Sequence, residues 1–490
     1  MAKKTSSRKG TPKKAVRAMA QAKAKVPKKT RTKAKVPKKA RPAVLAPVTK
    51  DELLARAYQP MKDAMAMHPW YRGKIEVVPK CIIRSFDDFG IWYTPGVSEP
   101  CMDIHKHPEK VYEHTNKGNM VAVVSDGSRV LGLGDIGPAA AMPVMEGKAI
   151  LYKYLGGVDA FPICLATKDP EEIIQAVKWM EPTFGGINLE DIAKPKCFYI
   201  LERLHKECGI PVWHDDQQGT ATVTVAGLIN ALKIVKKKMA EVRVAMFGAG
   251  ASNIRIAHLL IAAGVDAKKI IMCDTKGILH HDRTDIQEKE PDKWALANMT
   301  NAEDRRGGPA EAIKGADVLI ALSTPGPGIV RPEWITTMAE ESVVFICANP
   351  IPECWPWEAK EAGARVVATG RSDFPNQVNN SLGFPGIFRG TLDVMARTIT
   401  DEMCLAAAHE LAKCAEDKGL REDYIIPNMD EWEVFPREAA AVGTKAVEQG
   451  VARIKKTYKE LLREAENIIG RTREQTQWRM KKGFIKPYHK

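Results

Sequence analysis

At 490 residues, with 44% hydrophobic and 27% charged side chains, the chain can hold two or three domains with sizeable cores, and general disorder is excluded. Its formal net charge of +14 is localised: residues 1–41 carry 17 Lys or Arg and no acid, leaving 57 basic against 60 acidic residues, a net of −3, for the remainder. No run approaches the ~18 to 20 consecutive apolar residues of a membrane helix. The ten cysteines never form a CxxC pair, which argues against a zinc site or a disulfide framework and predicts reduced thiols in a cytoplasmic protein.

In chain order, residues 1–47 form a Lys/Ala/Pro-rich tail in which KAKVPKK occurs at 23–29 and again at 33–39. Without bulky apolar side chains it cannot offset the entropy of ordering, so disorder is expected. Residues 1–41 suit weak contact with nucleic acid or another polyanion through counterion release. A solvated tail fits equally well, and a secretory signal would need an apolar core that this segment lacks.

Between 48 and 217 several segments combine polar residues with Gly and Pro beyond what packing requires. WYTPGVSEPC (92–101) sets Tyr93 before a Pro-Gly turn. DGSRVLGLGDIGP (126–138) places Arg129 beside a strand that runs into a glycine-rich loop containing Asp135, and pairing of Arg129 with a nearby acid is its ordinary fate. MEGKAILY (145–152) carries Lys148 in apolar surroundings, where desolvation is expected to lower its pKa toward that of a usable base, although a snorkelling lysine is commoner.

GGINLEDIAKPKCF (185–198) presents adjacent Glu190 and Asp191, which a plain strand would point to opposite faces but a loop at its end would not. Asp215 and Asp216 follow in IPVWHDDQQGTAT, just before TATVTVAGLINALKIV, which reads as a buried helix. Glu190, Asp191 and Asp216 together would offer three hard oxygen ligands of the kind Mg²⁺ or Mn²⁺ prefers. Helix capping and surface charge explain each acid pair taken alone.

From about 241 the rhythm becomes that of a parallel sheet. EVRVAMFGAGASNIRIAHLLIAAG gives a strand, a glycine turn at Gly248 and Gly250, and a helix opening at Ala251 and Ser252 with Ile254, Ala257 and Ile261 on one apolar face. Further apolar runs at KKIIMCD, ADVLIAL, SVVFICA and ARVVAT complete an α/β pattern wound by right-handed crossovers. The turn suits a pyrophosphate at a helix N-terminus, and Asp274 closes the second strand where a ribose hydroxyl would sit. Lys276, two residues on, suits a 2′-phosphate, so NAD and NADP both stay open. Asn253 stands at the third-glycine position, where looser strand–helix packing is expected. Beyond 400, amphipathic helices follow.

YTPGVSEPC, LGLGDIGP, EGKA, NLED, HDDQQGTA, FGAGAS, ICANPIPE (346–353) and NNSLGFPG (379–386) occur in an order and rough spacing that resemble the malic enzyme family over about residues 75–410. The chain looks like the compact bacterial and archaeal branch. The resemblance implies an N-terminal α/β substrate and metal domain (48–217), a Rossmann-type dinucleotide-binding domain with a parallel sheet (218–410) and a C-terminal helical segment (411–490). It also implies oxidation of L-malate with NAD or NADP and loss of CO₂ to give pyruvate.

In that family's terms Glu190, Asp191 and Asp216 match the Mg²⁺ or Mn²⁺ ligands, Lys148 the general base and Tyr93 the acid that protonates C3. Arg129 would grip a substrate carboxylate, Asn349 with Asn379 or Asn380 would bind substrate or nicotinamide ribose, and Asp215 would support Lys148 or Tyr93. A homodimer or higher homo-oligomer is expected. Three rivals remain: a malolactic enzyme, which shares the motifs but releases lactate; an amino-acid dehydrogenase, which would not need clustered carboxylates; and a nucleic-acid-associated protein acting through the tail.

Overall fold

Two sheets organise the chain, and the second is built from the short apolar runs that mark the sequence after residue 241. The computed structural model describes residues 50–488, so the expectations of disorder and of polyanion contact for the basic tail lie outside the described residues. The first sheet has four strands in the order β2-β1-β3-β4: β1 Met120–Ser125, β2 Asp159–Cys164, β3 Gly186–Leu189 and β4 Val212–His214. All its pairings are parallel, so the crossovers need intervening helices, supplied by Pro138–Gly156, Pro170–Met180 and Lys196–Glu207.

The second sheet has six strands in the order β10-β9-β8-β5-β6-β7. Its members are β5 Val244–Phe247, β6 Ile270–Asp274, β7 Gly277–Ile278, β8 Val318–Ala321, β9 Val343–Ile346 and β10 Val366–Thr369. Only the two-residue β7 runs antiparallel, at the edge; the rest is the parallel Rossmann-type sheet that the apolar runs predict.

Strand alternation divides the packing. Val244, Met246, Val318, Ile320, Val343 and Phe345 face one core that also takes Val121, Val123, Met145, Tyr152 and Trp213 from the first sheet and its helices. Ala245, Phe247, Leu319 and Val344 face a second core on the other side. A third, under the far face of the first sheet, gathers Ala122, Val124, Ile187 and Val212. Both sheets are therefore covered on both faces, as parallel sheets require.

The helix Thr220–Ile234 joins the two sheets and is buried along nearly its whole length. The C-terminal helices Phe384–Asp393 and Tyr458–Lys481 pack on Pro138–Gly156, while Asp401–Lys418 packs on Thr220–Ile234. They thus brace both halves, and Asp401–Lys418 runs through the 410/411 boundary that the sequence suggests. No helix among the described residues is long and apolar enough to cross a membrane.

Candidate active site

The acidic cluster forms where two neighbouring strands of the first sheet end. Glu190 continues the β3 ladder, its amide donating to the Val124 carbonyl at 2.9 Å. Asp191 then takes a left-handed backbone, φ +55°, a conformation Asp tolerates better than most residues. That reversal undoes strand alternation, so Glu190 and Asp191 turn their carboxylates to one side. β4 ends at His214 and passes into a π-helical turn, Asp215–Gly219, where the Asp216 Oδ2 accepts the Asp191 amide at 2.9 Å.

One oxygen from each of Glu190, Asp191 and Asp216 lies within 4.8 Å of the others. Glu190 is 3% exposed and Asp191 2%, and the Asp191 Oδ2 is buried with no hydrogen-bond partner. Burial pushes Glu190 well above the usual carboxylate range and Asp191 up to about 8, with the Asp216 carboxylate adding to both. Such a set is costly for the protein by itself and becomes tolerable with a cation among the oxygens. The hard donor set and the orphaned oxygen fit a divalent ion of the Mg²⁺ or Mn²⁺ kind.

Lys148 enters this cluster from the helix Pro138–Gly156, its Nζ 2.5 Å from Asp215 Oδ2 and 3.0 Å from Glu190 Oε1, and 4.4 Å over the Phe384 ring. Here the structure corrects the expected direction of its pKa. Burial by itself would lower it, but Asp215 and Glu190 outweigh burial and hold the ammonium above the ordinary lysine range.

Three further side chains hold these acids, and nothing in their own spacing marks them. Trp213 Nε1 donates to Asp215 Oδ1 at 3.1 Å, Asn188 Nδ2 to Glu190 Oε2 at 2.8 Å, and the Tyr152 hydroxyl to Asn188 Oδ1 at 2.8 Å. Gly219 closes the turn, since a Cβ there would sit 1.9 Å from Asp215 Oδ1. Asn188 and Trp213 are signalled only by standing just before an acidic pair, and Tyr152 only by following Lys148 by one helical turn.

On the second sheet, Gly248 follows β5 with φ +93°, and a Cβ would meet the Leu322 carbonyl at 2.5 Å, so only glycine fits. Gly250 precedes the helix Ala251–Ala262, whose first amides, those of Ala251 and Ser252, have no intrahelical acceptor and make the kind of helix N-terminus that favours an anion. Asn253 does not loosen this unit as expected. It is fully buried, and its Nδ2 donates to the carbonyls of Phe247 and Gly248 at 2.8 Å each, tying helix to strand where a glycine would only allow approach.

Asp274 ends β6, but its carboxylate already accepts from the Lys276 amide (2.8 Å), both Arg283 terminal nitrogens (3.1 and 2.9 Å) and Lys293 Nζ (3.3 Å). A ribose hydroxyl would have to share that acceptor. Lys276 Nζ lies 2.8 Å from Asp285. Lys194, just past the acidic loop, pairs with Glu290, and Glu290 pairs in turn with Lys293 at 2.6 Å, so an ion-pair chain links the acidic loop to Asp274.

The remaining candidates divide. Arg129 is tied to the cluster by its backbone, its amide donating to the Asp191 carbonyl at 3.0 Å, while its side chain is exposed; the nearby Asp135 pairs with Lys168 instead. Asn379 is spent internally, donating to the Gly370 carbonyl at 2.9 Å and accepting the Ser381 amide at 3.0 Å. Asn380 carries no such bond and lies against the Gly219 turn, its Cβ 3.2 Å from the position a Gly219 Cβ would take. Asn349 follows β9 in the loop that packs on Gly132 and Gly370. Tyr93 is not joined to the cluster: it follows the short helix Asp88–Trp92, is 71% exposed, and stands among exposed Phe86, Ile91 and Trp92.

A glycine turn on a Rossmann-type sheet, beside a second α/β unit whose strand ends gather acids around a buried lysine, defines a two-domain dinucleotide-binding enzyme. Residues 72–205 match the family model for the malic enzyme N-terminal domain, and 217–447 match that for the malic enzyme NAD-binding domain. The chain is 51% identical over 393 residues to the bifunctional malic/malolactic enzyme of Bacillus subtilis, covering 80% of this chain and 94% of that one. It is 52% identical over 381 residues to the NAD-dependent malic enzyme of Geobacillus stearothermophilus, covering 78% of each. The crystal structure of Entamoeba histolytica malic enzyme superposes with a TM-score of 0.88 at 49% identity, over 91% of this chain and 93% of that one. The chain belongs to the malic enzyme family.

Proposed function

We propose that the protein oxidises L-malate at C2 with NAD or NADP and releases CO₂ and pyruvate. The observation that carries this reading is the approach of Glu190, Asp191 and Asp216 oxygens to within 4.8 Å of one another, with Lys148 3.0 Å from Glu190. A divalent ion held there would supply Lewis-acid polarisation of the C2 oxygen, first as the alcohol is oxidised and then as the ketone draws electrons from the breaking C3–C4 bond.

The chain's own residues do the rest. Lys148 relays the hydroxyl proton, and Glu190 is, with Asp215 and Asp216, one of the three carboxylates that keep it charged, so neutralising Glu190 favours the free amine. Arg129 offers a planar fork to a malate carboxylate. Asn349 and Asn380 orient substrate; the free amide of Asn380 supports choosing it over Asn379. Tyr93 returns a proton to C3, and its place on an exposed apolar strip with Phe86 (90% exposed) and Trp92 (49%) supports a homo-oligomer in which that strip is covered. The family limits at 205 and 217 support a boundary between the substrate and dinucleotide domains at 217/218, while the second match runs past 410 to 447. Ten free thiols support a reducing, cytoplasmic location.

Nicotinamide reduction with L-malate and Mn²⁺, NAD and NADP run in parallel, tests the reading; metal-dependent reduction with equimolar pyruvate is the expected result. Lactate without net reduction would instead establish malolactic chemistry, to which the name of the Bacillus subtilis relative lends weight. A second test needs no turnover. Mn²⁺ at a hundred times its Kd should stabilise the fold by about 2.7 kcal/mol, seen as a rise in Tm over the chelated protein. Asp191→Asn should abolish that rise, and a shift that survives the substitution would place the ion elsewhere.

A further inference from the structure

Glu353 is a carboxylate fully removed from solvent that none of the steps above employs. It lies in the loop after β9, seven residues beyond the strand's last residue, Ile346. Its Oε1 accepts the Ser323 amide at 2.8 Å and the Ser323 hydroxyl at 3.3 Å, and its Oε2 accepts the Ala348 amide at 3.0 Å. One side chain therefore spans the loops that leave the C-terminal ends of β8 and β9. Backbone bonds follow the same seam, from Val330 to the Glu353 carbonyl at 3.1 Å and from Gly326 to the Ile351 carbonyl at 3.2 Å.

Each loop touches a part of the candidate site. The β8 loop backs the dinucleotide turn, since Leu322 donates to the Phe247 carbonyl at 3.0 Å and its own carbonyl fills the space beside Gly248. The β9 loop carries Asn349, immediately after the Ala348 amide that Glu353 holds. Both meet the glycine-rich loop of the first sheet, where a Cβ on Gly132 would strike Pro325 at 2.3 Å and the Asn349 carbonyl at 2.6 Å. In a parallel α/β sheet, ligands bind in the crevice outside these strand ends.

The geometry points to Glu353 as a positioning residue that clamps the β8 and β9 loops together and so sets Asn349 against the dinucleotide turn. This rests on the malic enzyme reading, in which substrate and nicotinamide must meet beside Asn349. Carboxylate is the group such a clamp needs, because both its oxygens face N–H donors. Glutamine has one acceptor oxygen and would turn an NH₂ toward one of the two amides; aspartate keeps the charge but lacks the reach to hold both loops.

The test is a double-mutant cycle on the full chain with Glu353→Gln and Asn349→Ala, read as kcat and KM for malate together with NADH affinity by fluorescence titration. Glu353→Gln is expected to lower kcat/KM for malate by on the order of 10- to 100-fold, the scale of a small misplacement of reacting groups. In the Asn349→Ala background the same change should cost little more, because the two act in series. NADH affinity should fall with Glu353→Gln and stay near the parent value with Asn349→Ala. Additive losses in kcat/KM, or parent-like NADH affinity and malate kinetics, would overturn the clamp. If Glu353→Gln does not fold, Glu353→Asp carries the same expectations. A parent enzyme that binds NADH but leaves malate unchanged would sink the reading of function, while the NADH titration would still decide whether Glu353 shapes the dinucleotide turn.

Discussion

Replacing Glu190 with glutamine is expected to lower malate turnover about a thousandfold while leaving the fold intact. The variant loses one of three clustered oxygen donors and one of the two carboxylates that hold Lys148, at 3.0 Å. Lewis-acid stabilisation of developing charge amounts to several kcal/mol, and each 1.36 kcal/mol is about a factor of ten in rate. Stability should not fall with activity, because burial already pushes the Glu190 carboxyl well above its usual range and a neutral amide there relieves that penalty. Initial rates at saturating Mn²⁺ and malate, taken with Tm of the chelated protein, separate the two effects. A variant within tenfold of the parent would mean that Glu190 does not hold the ion. Loss of rate together with a collapsed Tm would mean that the residue serves the fold.

Lys148→Met should lower kcat by about 10²- to 10⁴-fold, the usual worth of a positioned proton-transfer group. Here the fold also suffers. The ammonium lies between Asp215, 2.5 Å away, and Glu190, and its removal leaves buried acids without their cation. Breaking such a pair costs about 3 to 5 kcal/mol, less whatever the acids recover by taking up protons. NADH binding should be spared, because Lys148 pairs with acids at the strand ends of the first sheet, whereas the Gly248 turn is built on the second sheet against Leu322. Equilibrium denaturation, NADH titration and pre-steady-state reduction at the first turnover test this pattern. Retention of the first-turnover rate would exclude Lys148 from the hydroxyl proton, and loss of NADH affinity would show that the two halves are coupled more tightly than their separate strand ends imply.

Much of the fold is legible in the sequence because parallel strands covered on both faces leave short, continuous apolar runs bounded by Gly, Pro or charge. VRVAMF, KKIIMCD, ADVLIAL and SVVFICA are such runs, and each becomes a strand of the second sheet. The glycine turn is equally local, since φ +93° at Gly248 and the carbonyl beside it admit no side chain. The order of the motifs carries the family, and the tail's charge is pure composition.

What tertiary structure decided depends on groups far apart in the chain. A plain strand would separate Glu190 and Asp191 onto opposite faces and a loop would not, a choice that the left-handed backbone at Asp191 decides by bringing them to one side. Lys148 lies among apolar neighbours that predict a lowered pKa, yet Asp215, 67 residues away, joins Glu190 and Asp216 in reversing the direction, because the carboxylates together outweigh a burial penalty that no one of these interactions exceeds singly. Asn379 and Asn380 are equivalent as letters; hydrogen bonds to Gly370 and Ser381 consume one and leave the other free. Asn253 ties the helix down through two carbonyls that its sequence position does not announce. Local periodicity and backbone sterics belong to the sequence because they act over a few residues. Charge state, hydrogen-bond partnership and the shared direction of side chains belong to the folded chain, because they arise only when strand ends distant in sequence are held a few ångströms apart.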